Sequence, residues 1–125
     1  MNIKELIGKT ILSIHGLDKD SDVVTIHTDD GKLYQMYHPQ DCCESVSIES
    51  VCGDVDDLLG SLVITAEERT SGENPEGVKI DYQGSFTWTF YELATNKGSV
   101  TIRWYGESNG YYSESVSFEE VSTIN

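Results

Sequence analysis

The stretch from His38 to Glu44 reads His-Pro-Gln-Asp-Cys-Cys-Glu, and Cys52 follows it closely in the chain. The whole chain has three histidines and three cysteines, so half of these side chains fall within six positions. Imidazole and thiolate are the ligands that zinc prefers in tetrahedral protein sites. The stretch therefore predicts a structural zinc site with a Cys3His ligand set, formed by His38, Cys42, Cys43 and Cys52.

Cys43 is a ligand for which alternatives exist. Neighbouring side chains in an extended chain point to opposite faces, so Cys42 and Cys43 both reach one ion only where the backbone is irregular. If Cys43 instead faces the core, His27 or His15 is the spare ligand. Cys52 ends a predicted strand, and we expect antiparallel pairing to bring that end beside the start of the His38 hairpin.

The same side chains permit two other interpretations. The cysteines are small buried residues in the first, which is a common use of free cysteine. In the second, Cys42 or Cys43 is a nucleophile, His38 its base, and Asp41 or Glu44 the orienting group. No segment of the sequence indicates an oxyanion loop. A disulfide between the neighbours Cys42 and Cys43 would be strained, so we expect reduced thiols.

The charge of the chain is its most unusual bulk property. It carries 22 acidic and 8 basic residues among 125, a formal net charge of −14. A field of this sign repels nucleic-acid phosphates and attracts basic partners. The N-terminal residues have no signal-peptide pattern, and no stretch approaches the roughly 20 apolar residues that span a bilayer. We therefore expect a cytoplasmic protein that binds neither nucleic acid nor membrane directly.

One acidic run has the spacing of a calcium loop. Asp18, Asp20 and Asp22 match the first three ligands of an EF-hand. Val23 stands where that loop needs glycine, and no helix precedes the run. The pattern predicts a polar turn.

Apolar and polar residues alternate with a period of two along most of the chain, which predicts strands. Asp30-Gly31 predicts a tight hairpin between two of them. Residues 2–8 and 54–60 predict short helices, and residues 67–77 predict a loop. A C-terminal aromatic meander is expected to bury both tryptophans, Trp88 and Trp104, on one face.

The fold class that these patterns predict is mainly β (α+β). We expect a single domain spanning residues 1–125, built as an antiparallel sheet or sandwich-like meander. One or two short helices and a zinc-stapled loop complete the expected fold.

With these motifs in hand, the chain resembles a family of small acidic proteins of unknown function encoded by phages and prophages of low-GC Gram-positive bacteria. The resemblance runs from about Ile7 to Glu120. The segments that carry it are His38–Glu44, Cys52–Gly60, Thr87–Tyr91, Gly98–Gly106 and Ser108–Tyr112. At least one similar small prophage protein is a zinc-containing anti-CRISPR protein that binds the recognition lobe of a type II effector nuclease and blocks target-DNA loading. The resemblance therefore implies zinc and counter-defence.

Together, charge and resemblance lead us to expect a non-enzymatic anti-CRISPR inhibitor in the host bacterial cytoplasm. Its acidic surface would dock on the basic nucleic-acid-binding lobe of a bacterial type II CRISPR effector nuclease, with structural zinc holding that surface in shape. The alternatives are a metal- or thiol-dependent phage enzyme and a virion or lysogeny interaction module. Tyr105, Tyr111 and Tyr112 lie beside a turn and are candidate contact anchors.

Overall fold

The computed structural model of the protein describes residues 2–80, 83–110 and 112–121. In this part of the chain, eight strands form two antiparallel four-stranded sheets, which confirms the mainly β prediction. The strands are β1 (Ile11–His15), β2 (Val23–Thr28), β3 (Leu33–Tyr37), β4 (Ser45–Cys52), β5 (Thr65–Ser71), β6 (Ser85–Thr95), β7 (Gly98–Ser108) and β8 (Ser117–Val121). The first sheet has the order β1-β2-β3-β8 and the second has the order β4-β7-β6-β5.

Helical structure in the described ranges is limited to two 3-10 helices, Ile3–Leu6 and Val55–Leu58. Both begin at a side-chain cap. The Asn2 side chain accepts a hydrogen bond from the backbone N–H of Lys4, and the Asp54 carboxylate accepts one from the N–H of Asp56. Neither of these short helices has the length and apolar character that crossing a membrane would require.

The core lies between the two sheets. Trp104 on β7 is fully buried, and its indole N–H donates to the sulfur of Met36 on β3, 3.2 Å away in the opposite sheet. In the first sheet, Tyr34 stacks on Phe118 with ring centroids 5.3 Å apart. Each such buried side chain contributes about 1.5–3 kcal/mol through the apolar area removed from water. The contact of Trp104 with Met36 therefore helps to join the sheets.

The register of the β6–β7 hairpin decides which aromatic residues enter this core. Its turn pairs Thr95 with Gly98, and the same register places Trp88 opposite Tyr105 and Thr89 opposite Trp104. Directly paired residues share a face of the sheet. Trp104 therefore points towards the first sheet and Trp88 points away from it. The prediction that both tryptophans are buried is confirmed, but they do not share one face, because the two positions differ by one residue in register.

Trp88 is nevertheless fully buried, under the segment that connects β5 to β6. Its indole N–H donates to the Oδ1 atom of Asn74 at 3.0 Å, and the Gln83 amide donates to the same oxygen at 2.9 Å. The guanidinium of Arg103 lies 5.2 Å from the centroid of the Trp88 ring. A small second layer on the outer face of the second sheet therefore buries this tryptophan.

Two further pairings differ from the sequence prediction. β5 occupies residues 65–71 and so includes residues 67–71 of the predicted loop, because it pairs along β6 from Thr65–Ala94 to Ser71–Trp88. The strand that ends the expected meander, β8, pairs with β3 in the other sheet and not with β7. Short polar strands at sheet edges carry a weak alternation signal, and the pairing of distant strands leaves no local signature.

Gly106 on β7 marks a close approach of two backbones. A Cβ atom added at this position would lie 2.5 Å from the carbonyl oxygen of Glu114. We expect Gly106→Ala to reduce the free energy of unfolding by about 1–3 kcal/mol because the crowded atom is backbone and has little room to move. Urea denaturation followed by circular dichroism measures this. Gly72→Ala is the control, because no atom lies within 4 Å of its added Cβ; equal losses in both variants would contradict the expectation.

Candidate functional site

The loop from residue 38 to residue 44 is built around the carboxylate of Glu44. The Glu44 side chain is 0% exposed. It accepts hydrogen bonds from the backbone N–H groups of Cys42 at 2.8 Å and Asp41 at 3.2 Å, and from the side-chain amide of Gln40 at 3.1 Å. A buried carboxylate is stable only when such donors replace water. The loop therefore takes its shape from an anion held by its own donors.

His38 connects this carboxylate to the chain before β8. Its Nε2 atom lies 3.0 Å from Glu44, its Nδ1 atom lies 2.6 Å from the carbonyl oxygen of Ser115, and its side chain is 3% exposed. A neutral ring has one N–H and donates to one of these acceptors, whereas the imidazolium donates to both. The hydrogen bond from His38 lowers the pKa of Glu44 to about 2; burial opposes this shift, and the N–H groups of Cys42 and Asp41 add to it.

The cysteines are placed differently from the sequence expectation. Cys42 and Cys43 are joined by a disulfide, which contradicts the prediction that both thiols are reduced. Cys52 is free and exposed at the last position of β4. A strand advances by about 3.3 Å per residue, so Cys52 lies roughly 23 Å from the start of β4 and from the loop that precedes it.

The four predicted zinc ligands, His38, Cys42, Cys43 and Cys52, are therefore not gathered at one point. The expected pairing is wrong because β4 pairs with β7 in the second sheet and does not run beside β3. Among the described residues, no group of three or more His, Cys, Asp or Glu side chains is arranged to hold a metal ion. This arrangement does not fit zinc, and zinc binding stays a prediction that these contacts do not support.

The spare ligands do not restore the site. His15 lies on β1 and His27 on β2, and both side chains are exposed on the first sheet. Cys42 and Cys43 lie beyond the end of β3, in the segment before β4. His38 does not pair with a free thiol of Cys42 or Cys43 in this geometry, because its ring nitrogens face Ser115 and Glu44 and the two cysteines are bonded to each other.

A cleft of about 430 Å³ lies between this loop and the turn after β1. Its lining residues are Asp20, Asp22, His38, Gln40, Glu44, Ser45, Val46 and Ser47. The turn is held against β4 by two backbone bonds: the N–H of Asp20 donates to Ile48 at 2.7 Å, and the N–H of Ile48 donates to Ser21 at 2.8 Å. Asp20 has a φ of 71°, a left-handed conformation that aspartate tolerates better than most residues.

Asp20 and Asp22 give the cleft its electrostatic character. Both residues are exposed, and no lysine or arginine in the described ranges forms an ion pair with either of them. A guanidinium or ammonium group is the natural ligand of exposed carboxylates. The predicted turn at these residues is confirmed, but the cleft itself depends on the distant contact of Ser21 with Ile48, which no local pattern indicates.

The predicted tyrosine anchors have different positions. Tyr105 lies on the outer face of the second sheet, where its hydroxyl donates to Glu107 and accepts from Gln83. Tyr112 is half-buried before β8. Tyr111 lies outside the described residues.

Comparison with known proteins places the chain in one family. The model of a domain of unknown function, DUF7448, matches residues 4–118. The chain therefore belongs to the DUF7448 family. No curated protein and no solved structure gives a significant match.

We expect Glu44→Gln to lower the melting temperature by several degrees near neutral pH, because the amide places a donor among donors. The ordinary carboxyl pKa of 4.5 falls to about 2 in the folded protein. The carboxylate therefore contributes stability that is fully present above about pH 4.5 and is lost as pH falls towards 2. Thermal melts of variant and wild type should converge over that range, and a constant difference would contradict the assignment.

We expect Cys52→Ser to change neither the melting temperature nor the metal content, because this side chain is exposed and far from the His38 loop. Elemental analysis of the purified wild type and variant provides the measurement, with His38→Gln as a comparison variant inside the loop. Zinc that is present in the wild type and lost from Cys52→Ser would show that the four residues do converge.

Proposed function

We propose that the protein is a non-enzymatic anti-CRISPR inhibitor, which docks on the basic nucleic-acid-binding lobe of a bacterial type II RNA-guided effector nuclease. It acts in the cytoplasm of a host bacterium and keeps target DNA from loading. The resemblance to phage and prophage proteins supplies the class of partner. The net charge of −14 supplies the reason why a basic surface is the natural target.

The cleft with Asp20 and Asp22 is the observation that carries this proposal. Its two exposed carboxylates have no cationic partner in the described part of the chain, and its volume of about 430 Å³ admits a side chain. Arginine and lysine side chains that hold nucleic-acid phosphates also bind carboxylates, and arginine does so through two parallel hydrogen bonds. A basic side chain from the nuclease that enters this cleft is no longer available to target DNA.

The rigidity of the cleft also favours binding. One wall is fixed by the backbone bonds between residues 20–21 and Ile48, and the other by the donors around Glu44. A preformed site loses less conformational entropy when a partner binds than a mobile one. The internal bonds of the loop supply the shape that the zinc hypothesis assigned to a metal, so the proposal does not depend on zinc.

We expect Asp20→Asn combined with Asp22→Asn to weaken binding to a type II effector nuclease carrying its guide RNA by about 3- to 30-fold, the sum of two exposed ion pairs. Asparagine tolerates the left-handed backbone at position 20, so the fold should persist. Binding of purified proteins is measured by biolayer interferometry at several salt concentrations. Affinity should fall as salt rises, because charge pairs are screened beyond about 8–10 Å at physiological ionic strength.

Glu73→Gln combined with Glu76→Gln is the matched control, since it removes the same charge at exposed positions of the segment after β5. Equal weakening in both double variants would assign binding to overall charge and would remove the cleft from the proposal. Affinity that does not change with salt, or the absence of any binding by the wild type, would reject the nuclease as the partner. Co-purification with phage structural proteins instead would favour a virion module.

A further inference from the structure

Four large aliphatic side chains are exposed where the chain around β1 runs beside the segment that precedes β5. They are Ile7 (46% exposed), Leu12 (53%), Leu62 (55%) and Ile64 (60%). We call these four residues the seam patch. Single exposed aliphatic residues need no explanation, but a group of them in one place marks an interaction surface.

Backbone contacts place the two segments that carry the seam patch side by side. The N–H of Gly8 donates to the carbonyl oxygen of Val63 at 2.9 Å, and the N–H of Val63 donates to the carbonyl oxygen of Lys9 at 2.9 Å. Thr10 pairs with Leu62 one step further along. The segment that contains Ile7 and Leu12 therefore runs alongside the segment that contains Leu62 and Ile64. A cavity of about 260 Å³ opens next to them, lined by Ser61, Leu62, Ile64 and Asn96.

The surroundings of the seam patch carry less negative charge than the rest of the chain. Residues 2–15, 58–66 and 94–97 contain three lysines and one glutamate. Asp29 and Asp30 contact this region through the N–H of Thr10 and the ammonium group of Lys9, so the local charge is close to zero in a chain of −14. Two of the lysines are held within the molecule: Lys9 forms an ion pair with Asp30 at 2.8 Å, and Lys97 donates to the carbonyl of Leu59 at 2.6 Å. Lys4 and Glu5 remain exposed beside Ile7, so the rim offers one charge of each sign.

We propose that the seam patch binds a second copy of this chain and forms a two-fold symmetric dimer. Two copies that meet through their acidic surfaces repel each other, whereas two seam patches bring together apolar side chains and few carboxylates. A two-fold contact must be complementary to itself, and a rim that holds both Lys4 and Glu5 meets that requirement. The local charge is close to zero, so a basic partner gains little from it, which is why a second copy is the better occupant.

The size of the patch sets the expected strength of the dimer. Four partly exposed aliphatic side chains cover less area than a standard protein–protein interface, which buries about 800 Å² on each partner. We therefore expect a weak dimer, with a dissociation constant of roughly 10 µM to 1 mM. Such a dimer presents two clefts on one particle, so a partner with two basic sites would be bound more tightly.

The salt dependence of dimerisation is opposite to that expected for nuclease binding. Raising the salt concentration screens the repulsion between two chains of charge −14 and leaves apolar contacts intact. Dimerisation should therefore strengthen with salt, while the complex with a basic nuclease should weaken. The two proposals rest on different surfaces and can fail separately.

Sedimentation velocity over a concentration series from about 5 µM to 1 mM, the range of the expected dissociation constant, tests the dimer. We expect the wild type to shift from monomer to dimer across the series. Leu62→Ser combined with Ile64→Ser should raise the dissociation constant at least about 10-fold, because it removes the two most exposed members of the patch. Val23→Ser is the control, since Val23 is a 38% exposed aliphatic residue on β2 and should leave dimerisation unchanged.

A wild type that stays monomeric throughout the series overturns the proposal, as does a double variant that dimerises like the wild type. Thermal melts show whether the variants fold. If the double variant has a lowered melting temperature, the test is the concentration dependence of the amide NMR chemical shifts of the isotope-labelled wild type. Shifts confined to residues 7–12 and 60–66 support the seam patch, and shifts elsewhere overturn it.

Discussion

The register of the β6–β7 hairpin is the constraint on which most of this structure depends. It directs Trp104 into the space between the sheets, where its indole N–H meets Met36 of the opposite sheet. The same register turns Trp88 to the outer face, where the segment between β5 and β6 covers it. A shift of one residue would turn the side chains of one strand to the opposite face relative to the other strand, so that both tryptophans would lie on the same face of the sheet. One hairpin therefore supports two separate apolar layers.

Local features of the fold could be predicted from the sequence, and distant pairings could not. The hairpin at Asp30-Gly31 joins β2 to β3 as expected, because its turn chemistry is written in adjacent residues. The strand Ser45–Cys52 has the predicted bounds, but its partner is β7. The choice between β3 and β7 is made by the whole core, and residues 45–52 alone contain no information about it.

The candidate site shows the same division at the level of side chains. Composition identified the stretch from His38 to Glu44 as chemically unusual, and the structure makes it a distinct loop. The sequence placed its ligands around a metal, whereas the structure places its donors around Glu44. Two of those donors are backbone N–H groups, which every residue except proline possesses and which therefore leave no trace in composition. The cleft beside the loop likewise requires Ser21 to meet Ile48 across two sheets.

The way in which Glu44 is satisfied has a consequence for how this loop can evolve. The donors to its carboxylate come from residues 38–42, and the contact of His38 with Ser115 anchors that cluster to the rest of the chain. The exposed side chain of Asp41 takes no part in those bonds, because only its backbone N–H is used. Such a position is free to drift without loss of shape. Substitutions at position 41 can therefore change the chemistry that the loop presents to solvent while its backbone stays the same.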